Sequence, residues 1–382
     1  MKRVGCWFLF LALLVSVMPL NTKAVDMNIE AKSALLMDVQ TGTVLYEANA
    51  HEALAPASVT KVMTMLLIME AIDSGKITWD DTVTASEAAA AKGGSQIYLK
   101  VGETMSVADM VKSIAVSSAN DCACAMAEHL AGSEAAFVEM MNTRAKELGM
   151  EDTHFVNCTG LDDSEDAKTH LTSAYDVAVM SRQLLKHHPD IKKYTTIWMD
   201  TVRNGTFGLS NTNKMVRFYN GATGLKTGFT STAGYCLSAS AQREGMELVA
   251  VVMGCETSAK RFAACKSLLD YGFANFSLVV PEVPSDTQVA VKLGKADWVK
   301  AVPSGIDAML IDKAQRNSVT TETELDSQVR APVSKGQRLG TLTVKAGEQV
   351  LAKVPLVAES AVEKMSFGDI FLYMLKRVCM AK

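Results

Sequence analysis

Two short apolar runs, Ala34-Leu35-Leu36-Met37 and Thr43-Val44-Leu45-Tyr46, flank the turn-forming Asp38-Val39-Gln40-Thr41-Gly42, a pattern that predicts a β-hairpin. A helix follows. Pro56 suits its entry, Val62, Met63, Met65, Leu66, Leu67, Ile68 and Met69 are apolar nearly all round, and Asp73-Ser74-Gly75 ends it. Such a helix belongs inside a large core. Further helices are predicted over 84–92, from Ser106 as cap to 117, over 122–130, over 134–148 and over 172–187, the last stopped by Pro189. After about residue 220 the period changes. Gly221-Ala222-Thr223-Gly224-Leu225-Lys226-Thr227-Gly228 is glycine-rich and then extended, Tyr235 to Ser240 alternates, and Glu247 to Met253 reads as a buried strand, with Arg243-Glu244-Gly245 as a hairpin turn between the last two. One more helix covers 260–271. The first domain is therefore a sheet carrying helices, its strands drawn from distant parts of the chain. Pro281-Glu282-Val283-Pro284 marks a linker, and residues 285–358 read as a small all-β domain.

The two ends carry a different signal. Lys2 and Arg3 precede an apolar run from Trp7 to Leu20, and Thr22-Lys23-Ala24 offers small residues for cleavage, so 1–24 reads as a secretory signal rather than a retained anchor. Of the 38 basic residues three lie in that leader, leaving 35 against 42 acidic ones and a net charge of −7. With 48% hydrophobic residues and no basic excess, bulk nucleic-acid binding is excluded. At the other end Phe367, Ile370, Phe371, Met374 and Val378 fall at helical spacing, with Lys364, Lys376, Arg377 and Lys382 as cations. Residues 359–382 thus read either as an amphipathic helix lying in a membrane surface or as a terminal helix packed on its own domain. Seven cysteines remain after the leader, with no C-x-x-C, and are read as small buried hydrophobes rather than as a metal site or a disulfide framework.

Chemistry enters with Ser58-Val59-Thr60-Lys61 at the head of the apolar helix. Three residues apart, Ser58 and Lys61 share a helical face. A lysine buried there has its pKa lowered by desolvation and becomes a base for the serine proton. Alone, the tetrad fits equally a capping serine and a lysine that snorkels to water. Two further short motifs follow in order, Ser118-Ala119-Asn120 and Lys226-Thr227-Gly228. Each alone fits a helix end or a plain strand and turn; all three in this order do not.

The ordered set resembles the serine acyl-transferases that include penicillin-binding proteins and class A β-lactamases. With the leader, the small β-domain and the basic tail, it resembles more narrowly the low-molecular-mass penicillin-binding proteins that act as D-alanyl-D-alanine carboxypeptidases. The resemblance implies an α+β fold. Residues 25–280 would form a serine D,D-peptidase domain with an antiparallel sheet and helices, 281–358 a small all-β domain, and 359–382 an amphipathic helix. It implies that Ser58 attacks the D-Ala-D-Ala carbonyl, that Lys61 is the base, with its pKa pressed down further by Lys226, and that Ser118 relays a proton to the leaving group. Asn120 would hold both a substrate peptide group and Lys61. Lys226 and Thr227 would bind the terminal carboxylate, Gly228 would let substrate lie along the strand edge, and the N–H groups of Ser58 and Phe229 would form the oxyanion hole. It calls for no metal and no organic cofactor. The implied partners are the peptidoglycan stem peptide, β-lactams as inhibitors, and the outer face of the cytoplasmic membrane. A serine β-lactamase and a non-catalytic wall-binding sensor are the competing readings. Against the first, the middle region holds no clear Glu-x-x-Leu-Asn. An arginine expected shortly before the third motif is also missing, since that stretch reads Asn211-Thr212-Asn213-Lys214 and the nearest is Arg217.

Overall fold

The computed structural model describes residues 16–17, 27–305 and 308–380; apart from Ser16 and Val17, the expected leader lies outside the described residues. By contact the chain divides after Asn275. In the first unit the predicted hairpin forms β1 (Ser33–Asp38) and β2 (Val44–Ala48), and the later runs form β3 (Ala222–Thr230), β4 (Gly234–Arg243) and β5 (Met246–Cys255). Their order is β2-β1-β5-β4-β3, antiparallel throughout, so the N-terminal hairpin joins strands two hundred residues downstream. Val251 opposes Leu35 and Lys226 opposes Ser238.

Both faces of this sheet are covered. Alternate side chains such as Leu35, Met37, Val249 and Val251 enter the main core. That core is built by α1 (Lys61–Asp73), α2 (Val107–Ser117), α3 (Asn120–Ala131), α4 (Glu134–Glu147) and α5 (Ala174–His187). Leu36 and Leu248 point the other way, onto α6 (Ser258–Asn275), whose Gly272 lets the helix approach: a Cβ there would come within 2.4 Å of Leu248. Side-chain caps explain where most helices begin. Ser106, Ser133 and Ser173 each accept an N–H from three residues on. Expected over 84–92, the next helix spans only Glu87–Ala90, because Ser86 caps it and the glycine pair Gly93-Gly94 follows closely. Lys61, Val62, Met63 and Met65 to Met69 of α1 are buried on every side, as its composition requires.

In the second unit a sheet runs through Val319–Leu325, Arg338–Ala346, Gln349–Ala358, Trp298–Pro303, Gln288–Lys292 and Gln328–Arg330, in that spatial order. Phe276–Val279 belongs here too, paired with Met309–Asp312. Val289, Val299, Leu342, Val344, Val354 and Leu356 fill the core. The terminal helix α7 spans Phe367–Met380, shorter than the stretch 359–382. Ser366 and Asp369 form a reciprocal cap that starts it, Ser366 Oγ accepting from Asp369 N–H at 3.2 Å and Asp369 from Ser366 N–H at 2.8 Å. The residues before it are extended, and Val362 is buried against Val333. Six of the seven cysteines are buried and Cys379 is exposed; all are free thiols.

One buried carboxylate ties the middle region together. Asp121, in the first turn of α3, accepts from the N–H groups of Ile97, Leu99 and Cys122. It fixes the 93–99 loop beside Asn120. Asp121→Ala would strand the Ile97 and Leu99 donors without water, at about 1–3 kcal/mol each. We expect a loss of about 3 kcal/mol, read as a lowered midpoint of urea unfolding.

Candidate active site

Ser58 sits not on α1 itself but on the single 3-10 turn Ala57–Thr60 that leads into it. Ala57 has φ +48°, a left-handed conformation costing a non-glycine residue about 1–3 kcal/mol unless its surroundings impose it. The turn delivers Ser58 Oγ to 2.9 Å from Lys61 Nζ. Lys61 is fully buried and donates to the Thr159 carbonyl at 2.8 Å. Burial lowers its pKa from the ordinary lysine value to about 7, against the raising effect of Cys158 and Asp121. Snorkelling is therefore ruled out, and the geometry is that of a nucleophile beside its base.

Thr159 is shaped for this task by Asn157, whose Oδ1 accepts from the N–H groups of Thr159 and Gly160 and from the Thr159 hydroxyl. Gly160 must be glycine. Its φ is +82°, and a Cβ would lie 1.9 Å from the Ala57 carbonyl oxygen.

Ser118 closes α2 in the left-handed region, φ +61°, and is buried. Asn120 opens α3. Its Nδ2 donates to the Gly93 carbonyl at 2.7 Å, while its buried Oδ1 has no partner among the described residues and stands ready to accept an N–H. Lys61 is anchored on the Thr159 carbonyl, and the expected hydrogen bond from Lys61 to Asn120 Oδ1 is not formed among the described residues.

Edge strand β3 forms the other wall. At Gly228 a Cβ would come 2.6 Å from the Pro56 carbonyl and 3.1 Å from Val59 N, so the strand and the serine turn touch backbone to backbone. Lys226 is buried and donates to the Thr227 carbonyl at 2.8 Å; Thr227 Oγ1 donates to Thr212 Oγ1 at 2.7 Å. Burial first, then the positive charges of Lys61 and Arg261, push Lys226 well below the ordinary lysine range. Between the two lysines burial is the main cause at each, and the like-charge effect falls on Lys226. Phe229 is exposed and lies against Tyr235, ring centroids 4.2 Å apart.

The missing arginine comes from elsewhere. Arg217 is exposed on the short helix Met215–Phe218. Arg261, on α6, reaches under the strand instead and donates to the carbonyls of Gly228 at 2.9 Å and Cys236 at 3.4 Å, its Nε having no partner among the described residues. Nothing near the third motif signals it, because it lies 35 positions after Lys226 on a helix with no motif of its own.

Residues 20–257 match the family model described as D-alanyl-D-alanine carboxypeptidase. The chain belongs to that family, whose members are serine peptidases. Residues 280–364 match the C-terminal domain of penicillin-binding protein 5. The D-alanyl-D-alanine carboxypeptidase DacF of Bacillus subtilis is 44% identical over 344 residues, covering 88% of this chain and 87% of its own length. DacA of Escherichia coli is 33% identical over 366 residues, 91% and 87% of the two chains. Among solved structures, penicillin-binding protein 5 of Haemophilus influenzae superposes with a TM-score of 0.76 at 31% identity, over 90% of this chain and all of that one. Penicillin-binding protein D2 of Listeria monocytogenes, solved with ampicillin bound, covers 65% of this chain and all of its own at a TM-score of 0.59 and 33% identity. The α+β fold with its all-β second domain is the fold of this carboxypeptidase family.

Since only the neutral amine takes a proton, the reactivity of Ser58 should rise with pH as Lys61 loses its charge near pH 7. The neutral fraction grows about tenfold between pH 6 and 8. Acylation by penicillin, followed by intact mass, should rise by that factor, and a flat profile would place the base elsewhere.

Proposed function

We propose that this carboxypeptidase removes the terminal D-alanine from peptidoglycan stem pentapeptides through an acyl-enzyme on Ser58. The observation that carries the reading is the buried Lys61 amine, 2.9 Å from Ser58 Oγ, with its pKa brought to about 7. Ser58 Oγ attacks the carbonyl between the two D-alanines while Lys61 Nζ takes its proton. The oxyanion meets the N–H groups of Ser58 and Phe229. Ser118 passes a proton to the departing D-alanine nitrogen, and water then hydrolyses the ester.

Substrate lies as an added strand along the edge of β3, where Gly228 keeps the approach open. The free Oδ1 of Asn120 accepts a substrate N–H. The terminal carboxylate is met by the Lys226 ammonium and the Thr227 hydroxyl, with Arg261 beneath Gly228 adding positive charge at the same end. Lys226, held well below its usual pKa by burial, regains its proton as the carboxylate arrives, because an anion offsets what burial costs.

The enzyme works outside the cytoplasmic membrane, on its outer face, and α7 holds it there. Phe367, Phe371, Leu372, Met374, Leu375 and Val378 of α7 are exposed, and the sequence adds Lys376, Arg377 and Lys382 nearby. Among the described residues no helix is long and apolar enough to cross a membrane.

Incubating the mature chain with penicillin should give a long-lived mass adduct, lost in Ser58→Ala, alongside D-alanine release from a peptide ending in D-Ala-D-Ala. An adduct that clears within seconds as penicillin is consumed would make the protein a β-lactamase instead. Ending the chain after Met365, which keeps Val362 in the β-domain, should abolish co-sedimentation with anionic lipid vesicles while leaving D-alanine release within about twofold, because exposed α7 residues act through the lipid surface. Equal sedimentation of both forms would remove the tail's role.

A further inference from the structure

The turn that carries Ser58 is gripped by Thr60, a member of the first motif with no role assigned so far, and by His170, which lies outside all three motifs. The Ala57 carbonyl lies 2.8 Å from Thr60 Oγ1, and Thr60 Oγ1 lies 2.8 Å from His170 Nε2. At the far side of the ring His170 Nδ1 accepts the Val156 N–H at 3.1 Å. These contacts fix the protons. Because Nδ1 accepts, the neutral imidazole carries its hydrogen on Nε2 and donates to Thr60 Oγ1. The Thr60 hydroxyl must then turn its own hydrogen to the Ala57 carbonyl. Thr60 is fully buried and His170 nearly so. Burial, then the charges of His154 and Lys61, lowers His170 to about 4, so the ring stays neutral where the enzyme works.

The Ala57 carbonyl and the Ser58 N–H belong to one planar peptide unit and point in opposite directions. Whatever pins the carbonyl therefore aims the N–H. We propose that Thr60 and His170 are positioning residues for acyl transfer, a one-directional clamp that holds the strained Ala57–Ser58 peptide so that the Ser58 N–H faces the oxyanion. Gly160 packs its bare backbone against this same hydrogen bond: a Cβ there would lie 1.9 Å from the Ala57 carbonyl oxygen and 2.7 Å from Thr60 Oγ1. The proposal rests on Ser58 being the nucleophile.

The test is the limiting acylation rate of the full mature chain with penicillin, taken as a function of penicillin concentration. Misaiming one oxyanion donor costs about 10²-fold in rate. Thr60→Val, which keeps the shape and removes the hydroxyl, should lower the limiting rate by about that factor and leave the non-covalent dissociation constant within about threefold. Thr60→Ser, which restores the hydroxyl, should recover the rate to within about threefold of the native value. A limiting rate for Thr60→Val within twofold of native, or Thr60→Ser no faster than Thr60→Val, overturns the clamp. If Thr60→Val does not fold, nitrogen-15 NMR of the native protein decides: the His170 ring must be the Nε2–H tautomer, and an Nδ1–H ring overturns the proposal. An adduct that persists in Ser58→Ala would instead remove the nucleophile on which the clamp rests.

Discussion

A lysine amine with no access to water is the constraint on which the rest depends. Lys61 is buried at the head of an apolar helix, and an isolated ammonium there would cost several kcal/mol. The fold answers with a near-neutral amine held between one carbonyl, that of Thr159, and one hydroxyl, that of Ser58. Much of the surrounding structure serves that arrangement. Asn157 shapes the Thr159 turn, Thr64 holds the preceding carbonyl of Cys158 at 2.7 Å, and α1 is apolar all round so that no solvent reaches the amine. The base is produced by packing, not by a partner charge.

A second constraint is the closeness of backbone to backbone. Three separate chain segments meet at Ser58: its own turn, the loop at Gly160, and the strand at Gly228. Both contacts with the turn exist only because glycine has no Cβ. Bringing main chains this close gathers the peptide dipoles of three segments around the Ser58 turn, most of it buried, where each is worth more than it would be in water. The edge position of β3 matters for the same reason. A central strand would have both sides of its ladder satisfied, whereas this one keeps a side free.

The parts of the site that can be read along the chain are those carried by side chains at short, fixed spacing. Ser58 and Lys61, Ser118 and Asn120, and Lys226 to Gly228 could each be placed on an element from the sequence, and the structure brings Lys61 and the Gly228 strand directly against the Ser58 turn. The parts that escape such reading act through the backbone or across long separations. Thr159 contributes a carbonyl, which every residue possesses. Arg261 lies on a helix whose pattern speaks only of burial against the sheet. His170 resembles the other five histidines in sequence, and only its depth distinguishes it. The fold followed the same division. Hydrophobic periodicity located the hairpin, the buried helix and the strands after residue 220, but not where the terminal helix begins, because the Ser366–Asp369 cap decides that and Val362 prefers the β-domain's core.

The six buried cysteines carry a consequence for the life of the molecule. In the fold Cys236, Cys255 and Cys265 lie far from water, and burial is the main cause of thiol pKa values raised above the ordinary range, so the reactive thiolate is scarce. The protection belongs to the packing and ends with it. A chain that loses its core in air releases six ordinary thiols at once, free to couple in many pairings that the native geometry does not contain. Unfolding then runs one way, and the lifetime of this protein is set by the height of its unfolding barrier rather than by the depth of its free-energy minimum.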